Sequence, residues 1–402
     1  MLRHMPPGYA YAVLGAGRQG TAAGHDLALR GEARQLLICD LDGGRADEVA
    51  RRINELAGRG VATGKVLDAT DPESVVETLH SVDACLAAVS YRLNLELSRA
   101  AIEARTHLCD LGGNMSVVTA QLDLDGAARD AGVCVVPDCG EAPGLANNLC
   151  AYAYGLLSAV EELRLYDGGI PLHPRAPWHY ELTFNVDGLT NEYDGTTTFV
   201  RNGRPIEVNC LDPTEDEAVD LGPPFEGLEA LVAATASTLP LTLGRQVRTF
   251  TSKVLRWPGH GAQFRAFRDL GLFSEDPIDL DGRSVVPREI FHALLDPQIR
   301  VAEGSPDVVL ARVVARGRHG DRAAEVIVDL RIDHDPGLGL SAMQRATGSH
   351  AAIVMRLMAS GEVPAGAHPV EEAVDAGRMV AELRGRGFDV SERVSVLGAE
   401  TG

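Results

Sequence analysis

The sequence predicts an α/β protein in two main parts: a Rossmann doubly wound parallel sheet over residues 1–140, then an α+β domain on a mainly antiparallel sheet over 141–340. A last segment, 341–402, is expected to be helical. Three observations carry this prediction. Short apolar runs alternate with amphipathic stretches through the first part, the pattern of parallel strands joined by crossover helices. A glycine-rich turn follows the first of those runs. Past Pro143 the alternation stops, and turn signals typical of antiparallel hairpins take over.

The expected strands of the first part are 11–14, 36–39, 62–67, 84–89, 107–110 and 133–137. They are rich in Val, Leu, Ile and Cys, as parallel strands covered on both faces must be. Amphipathic helices are expected between them over 45–56, 72–79, 94–103 and 125–131. A helix over 145–157 opens the second part. There Asn202-Gly203 separates the alternating runs 197–200 and 205–209, and Asn-Gly supplies the backbone twist of a tight hairpin. Runs 308–315 and 324–332 predict a second hairpin with a longer loop over 316–322. Residues 344–384 return to helix, broken in two by Pro364 and Pro369.

Composition narrows the function. At 402 residues the chain exceeds one ordinary core, and 45% apolar residues suit a globular chain rather than a disordered one. No stretch approaches the roughly 20 apolar residues of a membrane helix. The first eight residues lack an apolar signal region, so a cytoplasmic protein is the default expectation. A formal charge of −20 argues against nucleic acid, which demands a concentrated basic face, and mildly favours a cationic substrate. Solubility is the simpler reading of that charge. Of seven cysteines, Cys39, Cys85, Cys109 and Cys134 fall inside expected strands as small hydrophobes, and no Cys-x-x-Cys pair occurs. Neither a disulfide framework nor a metal site is expected.

Gly15-Ala16-Gly17-Arg18-Gln19-Gly20 fits Gly-x-Gly-x-x-Gly, directly after a strand and at the start of a helix. Asp40 follows at the end of the second strand, the context that makes this motif a dinucleotide site. Gly15 permits the turn, Gly17 lets the backbone approach a pyrophosphate, and Gly20 lets helix and strand pack closely. The backbone N–H groups of Arg18 and Gln19, at the helix N-terminus, then face the phosphates. Asp40 is expected to accept hydrogen bonds from the adenosine ribose and to repel a 2′-phosphate, which favours NAD. Asp42 adds negative charge nearby, and Arg45 is the one close cation that favours NADP. Asp68, after the third strand, either meets the adenine or caps the helix that begins at Pro72. In open α/β sheets the ligand lies beyond the carboxyl ends of the strands. That rule directs attention to Ser90-Tyr91, to Asp110-Leu111-Gly112-Gly113-Asn114, and to Pro137-Asp138-Cys139-Gly140-Glu141-Ala142-Pro143-Gly144.

These residues resemble the saccharopine dehydrogenase-like family, and within it the lysine 6-dehydrogenases, from Ala12 to about Val374. The more specific landmarks are the Asp138-to-Gly144 block and Lys253-Val254-Leu255-Arg256-Trp257-Pro258-Gly259-His260. Tyr91 with Asn94, Gly168-Gly169-Ile170-Pro171 and Arg345-Ala346-Thr347-Gly348 accompany them. The resemblance implies oxidation of the side-chain amine of L-lysine with NAD, giving ammonia and a semialdehyde that cyclises to a piperideine carboxylate. It also implies C-terminal helices packed on the nucleotide domain, and a homo-oligomer (dimer or tetramer). Two positions depart from the pattern: Asn114 stands where a histidine is expected, and Gly348-Ser349-His350 replaces a more apolar stretch. If either lines the pocket, the preferred amine differs from lysine.

Oxidising a primary amine requires that it lose a proton, because an ammonium has no lone pair to expel a hydride. Asp110 is the first candidate to hold the ammonium or take its proton, the alternative being a cap on the following turn. Glu141 is a candidate base or a cap for the helix after Pro143. Lys253 can serve acid–base chemistry if desolvated, and His260 can shuttle protons near neutrality or be structural. On a strand Lys253 and Arg256 face opposite ways, so one of them at most reaches a ligand. Arg256 suits bidentate binding of an α-carboxylate, with Arg345 second, unless Arg345 makes an ordinary salt bridge. Tyr91 packs near the nicotinamide, donates its hydroxyl, or belongs to the core. Two other functions compete: a saccharopine dehydrogenase or reductase acting on a secondary amine, which needs a further pocket arginine, and an NAD-sensing protein without turnover.

Overall fold

The computed structural model describes residues 8–301 and 304–396. The segment 1–7, which carried the expectation on targeting, lies outside the described residues. The chain divides into two compact units, Met1–Ala151 with Gln344–Gly387, and Tyr152–Met343 with Phe388–Gly402.

In the first unit the elements run β1 (Tyr9–Leu14), α1 (Arg18–Arg30), β2 (Ala33–Asp40), α2 (Gly43–Ala57), β3 (Ala62–Val66), α3 (Pro72–Leu79) and β4 (Ala84–Ala87). Then come α4 (Asn94–Ala104), β5 (His107–Asp110), α5 (Met115–Leu122), α6 (Asp125–Ala131), β6 (Cys134–Val136) and α7 (Leu145–Gly155). The second unit supplies β7 (Ala159–Pro171), α8 (Val186–Tyr193), β8 (Thr196–Arg201), β9 (Arg204–Asn209), β10 (Glu217–Val219), β11 (Leu228–Val232) and β12 (Thr249–Arg256). It continues with α9 (His260–Asp269), β13 (Ile278–Leu280), β14 (Arg283–Val285), α10 (Pro287–Ile299), β15 (Asp307–His319) and β16 (Arg322–Asp333). From α11 (Ala342–Ala359) the chain returns to the first unit with β17 (Gly366–Ala367), α12 (Val370–Ala373) and α13 (Ala376–Gly385). It ends in β18 (Asp389–Val396), which belongs to the second.

The first unit's sheet is parallel throughout, in the order β17-β6-β5-β4-β1-β2-β3. Apart from β17 this is the dinucleotide-binding order, with its switch point between β1 and β4. The central strands are apolar and almost wholly buried, as helices on both faces require. The helix α1 packs through small residues, and α11 crosses it at Gly348. A Cβ on Gly348 would stand 2.6 Å from the Ala22 Cβ. The departure from the family pattern at Gly348 is thus a close helix contact.

In the second unit the path β10-β11-β12-β7-β15-β16-β18 forms one sheet, with β8 and β9 attached beside β12. Its pairs are antiparallel except β12 with β7. One face packs on an aromatic cluster that includes Tyr180, Tyr193, Phe264 and Phe291, and the other on Tyr166, Phe225, Leu255 and Leu310.

Four expectations need correction. The segment 341–402 is not one helical block, because Asp389–Val396 pairs with β16 in the second unit. Within it, β17 joins the Rossmann sheet beside β6, a strand of two residues and too short for any periodicity to announce. The second hairpin has no long loop: its strands stay in register to His319↔Arg322. The charged residues taken for loop are a solvated strand face, where register partners Arg316 and Glu325 pair at 2.7 Å, as Arg312 and Asp329 do at 2.6 Å. Finally, the boundary expected at residue 140 falls at 151, because most of α7 belongs to the first unit. The Asn202-Gly203 hairpin has the expected turn, with φ of +53° and +72°.

Candidate active site

The glycine turn shows why each glycine is needed. Gly15 has φ +111°, and a Cβ there would lie 2.4 Å from the Ala88 carbonyl oxygen. A Cβ on Gly20 would lie 2.0 Å from the carbonyl oxygen of Gly15. Gly17 is different: nothing stands within 4 Å of its would-be Cβ, so the space above it is open. Gly17 begins α1 with no side-chain cap and no acid in the first turn, so the N–H groups of Arg18 and Gln19 point outward with the positive end of the helix. At the end of β2, Asp40 Oδ2 accepts the Ala16 N–H at 2.8 Å and Oδ1 accepts the Asp42 N–H at 3.0 Å. Arg45 Nε donates to the Ala16 carbonyl at 2.9 Å. A carboxylate and a guanidinium thus bracket one residue, Ala16, where the rule for this fold places an adenosine ribose. The open space over Gly17 and the uncapped helix end fit a dinucleotide. Asp68 is exposed and accepts the N–H and hydroxyl of Thr70, which hold its carboxyl below the usual range. The cap of α3 is Asp71, not Asp68.

Beyond β5 and β6 the loops are stitched together by Asp110. This carboxylate is fully buried; Oδ1 accepts from the N–H groups of Gly112 (2.7 Å) and Asp138 (3.3 Å), and Oδ2 from Gln121 Nε2 (2.7 Å). Burial raises its pKa against the pull of those bonds. With its acceptors taken by the fold, Asp110 pins the turn, and its expected role as ammonium holder or base is withdrawn. A Cβ on Gly113 would sit 3.1 Å from the Tyr91 Cβ, so Tyr91, half-buried after exposed Ser90, rests on that glycine. Asn114 caps α5 through the N–H groups of Ser116 and Val117, which explains it without a ligand. Glu141 is 7% exposed, and its carbonyl accepts the Ala146 N–H at the start of α7. Arg345 lies half-buried in the first turns of α11. His350, on the same helix, is buried, donates to Asn148 Oδ1 at 2.7 Å, and has its pKa pushed down to about 4 by burial. This bond gives the last family departure a packing role.

In the second unit Lys253 and Arg256 do face opposite ways. The Lys253 ammonium is buried against Glu217 and the Glu215 carbonyl, on the side of Tyr166, whose hydroxyl donates to the same Glu217 at 2.9 Å. Lys253 is therefore part of a closed ion pair, which removes its expected acid–base role. On the other face Arg256, 3% exposed, donates from Nε to the Tyr193 hydroxyl (2.8 Å), from one terminal nitrogen to the Leu255 carbonyl (3.0 Å), and from the other to Glu192 (2.9 Å). Its expected clasp on a substrate carboxylate is thus already occupied by Glu192. Tyr193 bridges Arg256 to His260 Nε2 at 3.0 Å, and the imidazole stacks on Phe264 with centroids 4.2 Å apart. Burial, then the Arg256 charge, drive the His260 pKa well below its ordinary value, so His260 stays neutral and is no shuttle near pH 7.

The structure brings to this cluster three residues that sequence reasoning missed: Asp167, Glu192 and Tyr193. Asp167 is 2% exposed on β7, opposite Val254 of β12, which places it on the same sheet face as Arg256. Burial, then repulsion from Glu192, push its carboxyl up to about 7 against the pull of Arg256. Glu192 is likewise raised by burial. One signal was available: Asp167 is an acid inside an otherwise apolar run, directly before Gly168-Gly169.

A parallel sheet in this order, opened by this glycine turn, defines a dinucleotide-binding α/β protein. The sequence profile of the saccharopine dehydrogenase NADP binding domain matches residues 11–136, and that of the saccharopine dehydrogenase C-terminal domain matches 140–388. The chain belongs to the saccharopine dehydrogenase family and is an NAD(P)-dependent oxidoreductase of that family. Among solved structures, apo histidine-tagged saccharopine dehydrogenase (L-Glu forming) from Saccharomyces cerevisiae superimposes with a TM-score of 0.78 at 15% identity, covering 97% of this chain and 100% of that one. That likeness is one of fold. A myo-inositol dehydrogenase from Corynebacterium glutamicum ATCC 13032 matches at 12% identity over 97% of this chain and 98% of that one, with a TM-score of only 0.42. Among the described residues no helix is long and apolar enough to cross a membrane.

Proposed function

We propose that this chain oxidises the side-chain amine of L-lysine, or of a closely related amino acid, with NAD, releasing ammonia and a semialdehyde that cyclises. One observation carries the choice of a cationic substrate: the buried cluster around Arg256 holds two carboxylates, Asp167 and Glu192, against one guanidinium. Such a site has one negative charge in excess when both acids ionise, and an ammonium balances it. When bound, the oxidised nicotinamide takes up a hydride from the carbon next to nitrogen. The chain's residues do the rest. The N–H groups of Arg18 and Gln19 bind phosphate, Asp40 takes the ribose hydroxyls, and neutral His260, tied through Tyr193, orients Arg256 and Glu192 without adding charge.

The test is a panel of L-lysine, L-ornithine, 1,5-diaminopentane and saccharopine, assayed for reduced cofactor with NAD and with NADP. Lysine with NAD is expected to be fastest, and mass spectrometry should find the cyclic imine. Turnover of saccharopine alone, or of no amine, overturns the reading. In the same assay Asp40→Ala is expected to narrow the preference for NAD about tenfold or more, the value of one or two charge-assisted hydrogen bonds, while Arg45→Ala widens it. An unchanged cofactor ratio in both variants refutes the specificity argument.

A further inference from the structure

We propose that Asp167 is the seat of the substrate's side-chain ammonium and the acceptor of its proton. This rests on the amine-oxidising reading above and names the residue that would do the work. Asp167 Oδ1 is buried and has no hydrogen-bond partner. An orphaned carboxylate oxygen in an interior of this kind is costly unless a ligand or a proton meets it. No group of the cluster meets that oxygen: Arg256 gives one N–H each to Glu192, Tyr193 and the Leu255 carbonyl, and His260 Nε2 faces Tyr193. A Cβ on Gly168 would stand 3.1 Å from an Arg256 nitrogen, so a larger residue there would crowd the guanidinium.

The charged groups that act on Asp167 are Glu192 from α8 and Arg256 from β12; Tyr193, Tyr180 and His260 are gathered around Arg256. The register partner on β15 is Ala311, which does not titrate. In the step itself one N–H bond of the ammonium breaks and an O–H bond forms on Asp167. R–NH3+ and –COO− become R–NH2 and –COOH, with total charge unchanged. The freed lone pair can then form the C=N bond as the neighbouring C–H pair leaves as hydride to the nicotinamide dinucleotide, the family's oxidant. A carboxyl held near pH 7 takes this proton far more readily than an exposed aspartate could, because its basicity is closer to that of the amine.

The test uses the full chain saturated with reduced cofactor, so that nothing turns over. L-lysine is titrated calorimetrically against L-norleucine, which has the same side-chain carbons without the amine. Wild type is expected to prefer lysine by about tenfold to a hundredfold, as charge-assisted hydrogen bonds do, and Asp167→Asn and Asp167→Ser to erase that preference while norleucine binds as before. Undiminished lysine preference in either folded variant overturns the proposal, as does a wild type without the preference. A second measurement needs no variant. At pH 6, lysine binding to wild type is expected to release up to one proton, seen as a buffer-dependent binding enthalpy; binding without proton release overturns the assignment. The two readings fail separately. Lysine oxidation by Asp167→Asn at an unchanged pH profile removes Asp167 and leaves the function. Asp167-dependent amine binding without any turnover removes the function and leaves the site.

Discussion

At the scale of single residues, the acids in this chain divide by how their oxygens are used. Asp110 accepts three hydrogen bonds from the fold, two on Oδ1 and one on Oδ2, so Asp110→Ala leaves two backbone N–H groups and one amide without partners. The expected cost is about 2–4 kcal/mol in urea unfolding, and a variant as stable as wild type would remove the clamp from the account. Asp167 is the opposite case, a buried carboxyl with an idle oxygen. Its pKa in the folded protein is pushed up to about 7, above the ordinary value of 3.8. The folded state therefore holds the proton more tightly than the unfolded chain. The stability contributed is complete below the unfolded pKa and is lost as pH rises from about 4 to about 7. Asp167→Asn abolishes that loss, so its melting temperature is expected to exceed that of wild type at pH 8 by roughly 5–10 °C and to converge with it near pH 4. Melting curves that stay parallel across this range would refute the buried titration.

The elements show what could be read from the sequence and what could not. Every expected strand of the first unit is present, and α3 and α6 begin and end where expected, because parallel strands are apolar throughout and Pro72 and Gly132 punctuate the chain. β17 and β18 were missed for different reasons: the first is two residues long, and the second is an edge strand whose exposed positions carry Glu392 and Arg393. The cofactor turn was legible because its residues are contiguous. The buried polar cluster around Arg256 was half legible. Arg256 and His260 sit in one sequence block, whereas Asp167, Glu192 and Tyr193 join them only through the parallel register of β7 and β12 and the end of α8. No spacing rule contains that register. Close packing also assigns residues that motifs left unexplained. Gly348→Val would push a side chain into Ala22 and the Ala23 backbone, and is expected to lower the melting temperature by several degrees, as overpacking of about 1–3 kcal/mol does; Gly348→Ala should do so less. Unchanged melting would mean that α1 and α11 can separate freely.

At the scale of the whole molecule, the chain enters the first unit, builds the second, returns, and finishes in the second again. Neither unit is a continuous stretch, so the family's two profiles, matched in sequence order, do not coincide with the two compact bodies. The placement of β17 beside β6 has a consequence for biosynthesis. While a ribosome makes residues 152–343, for roughly 10–40 s at ~5–20 residues per second, the nascent Rossmann sheet has an open edge at β6 and no α11 over α1. Synthesis must pass Ala367 before that edge is covered, and until then β6 offers its unpaired backbone to any neighbouring strand.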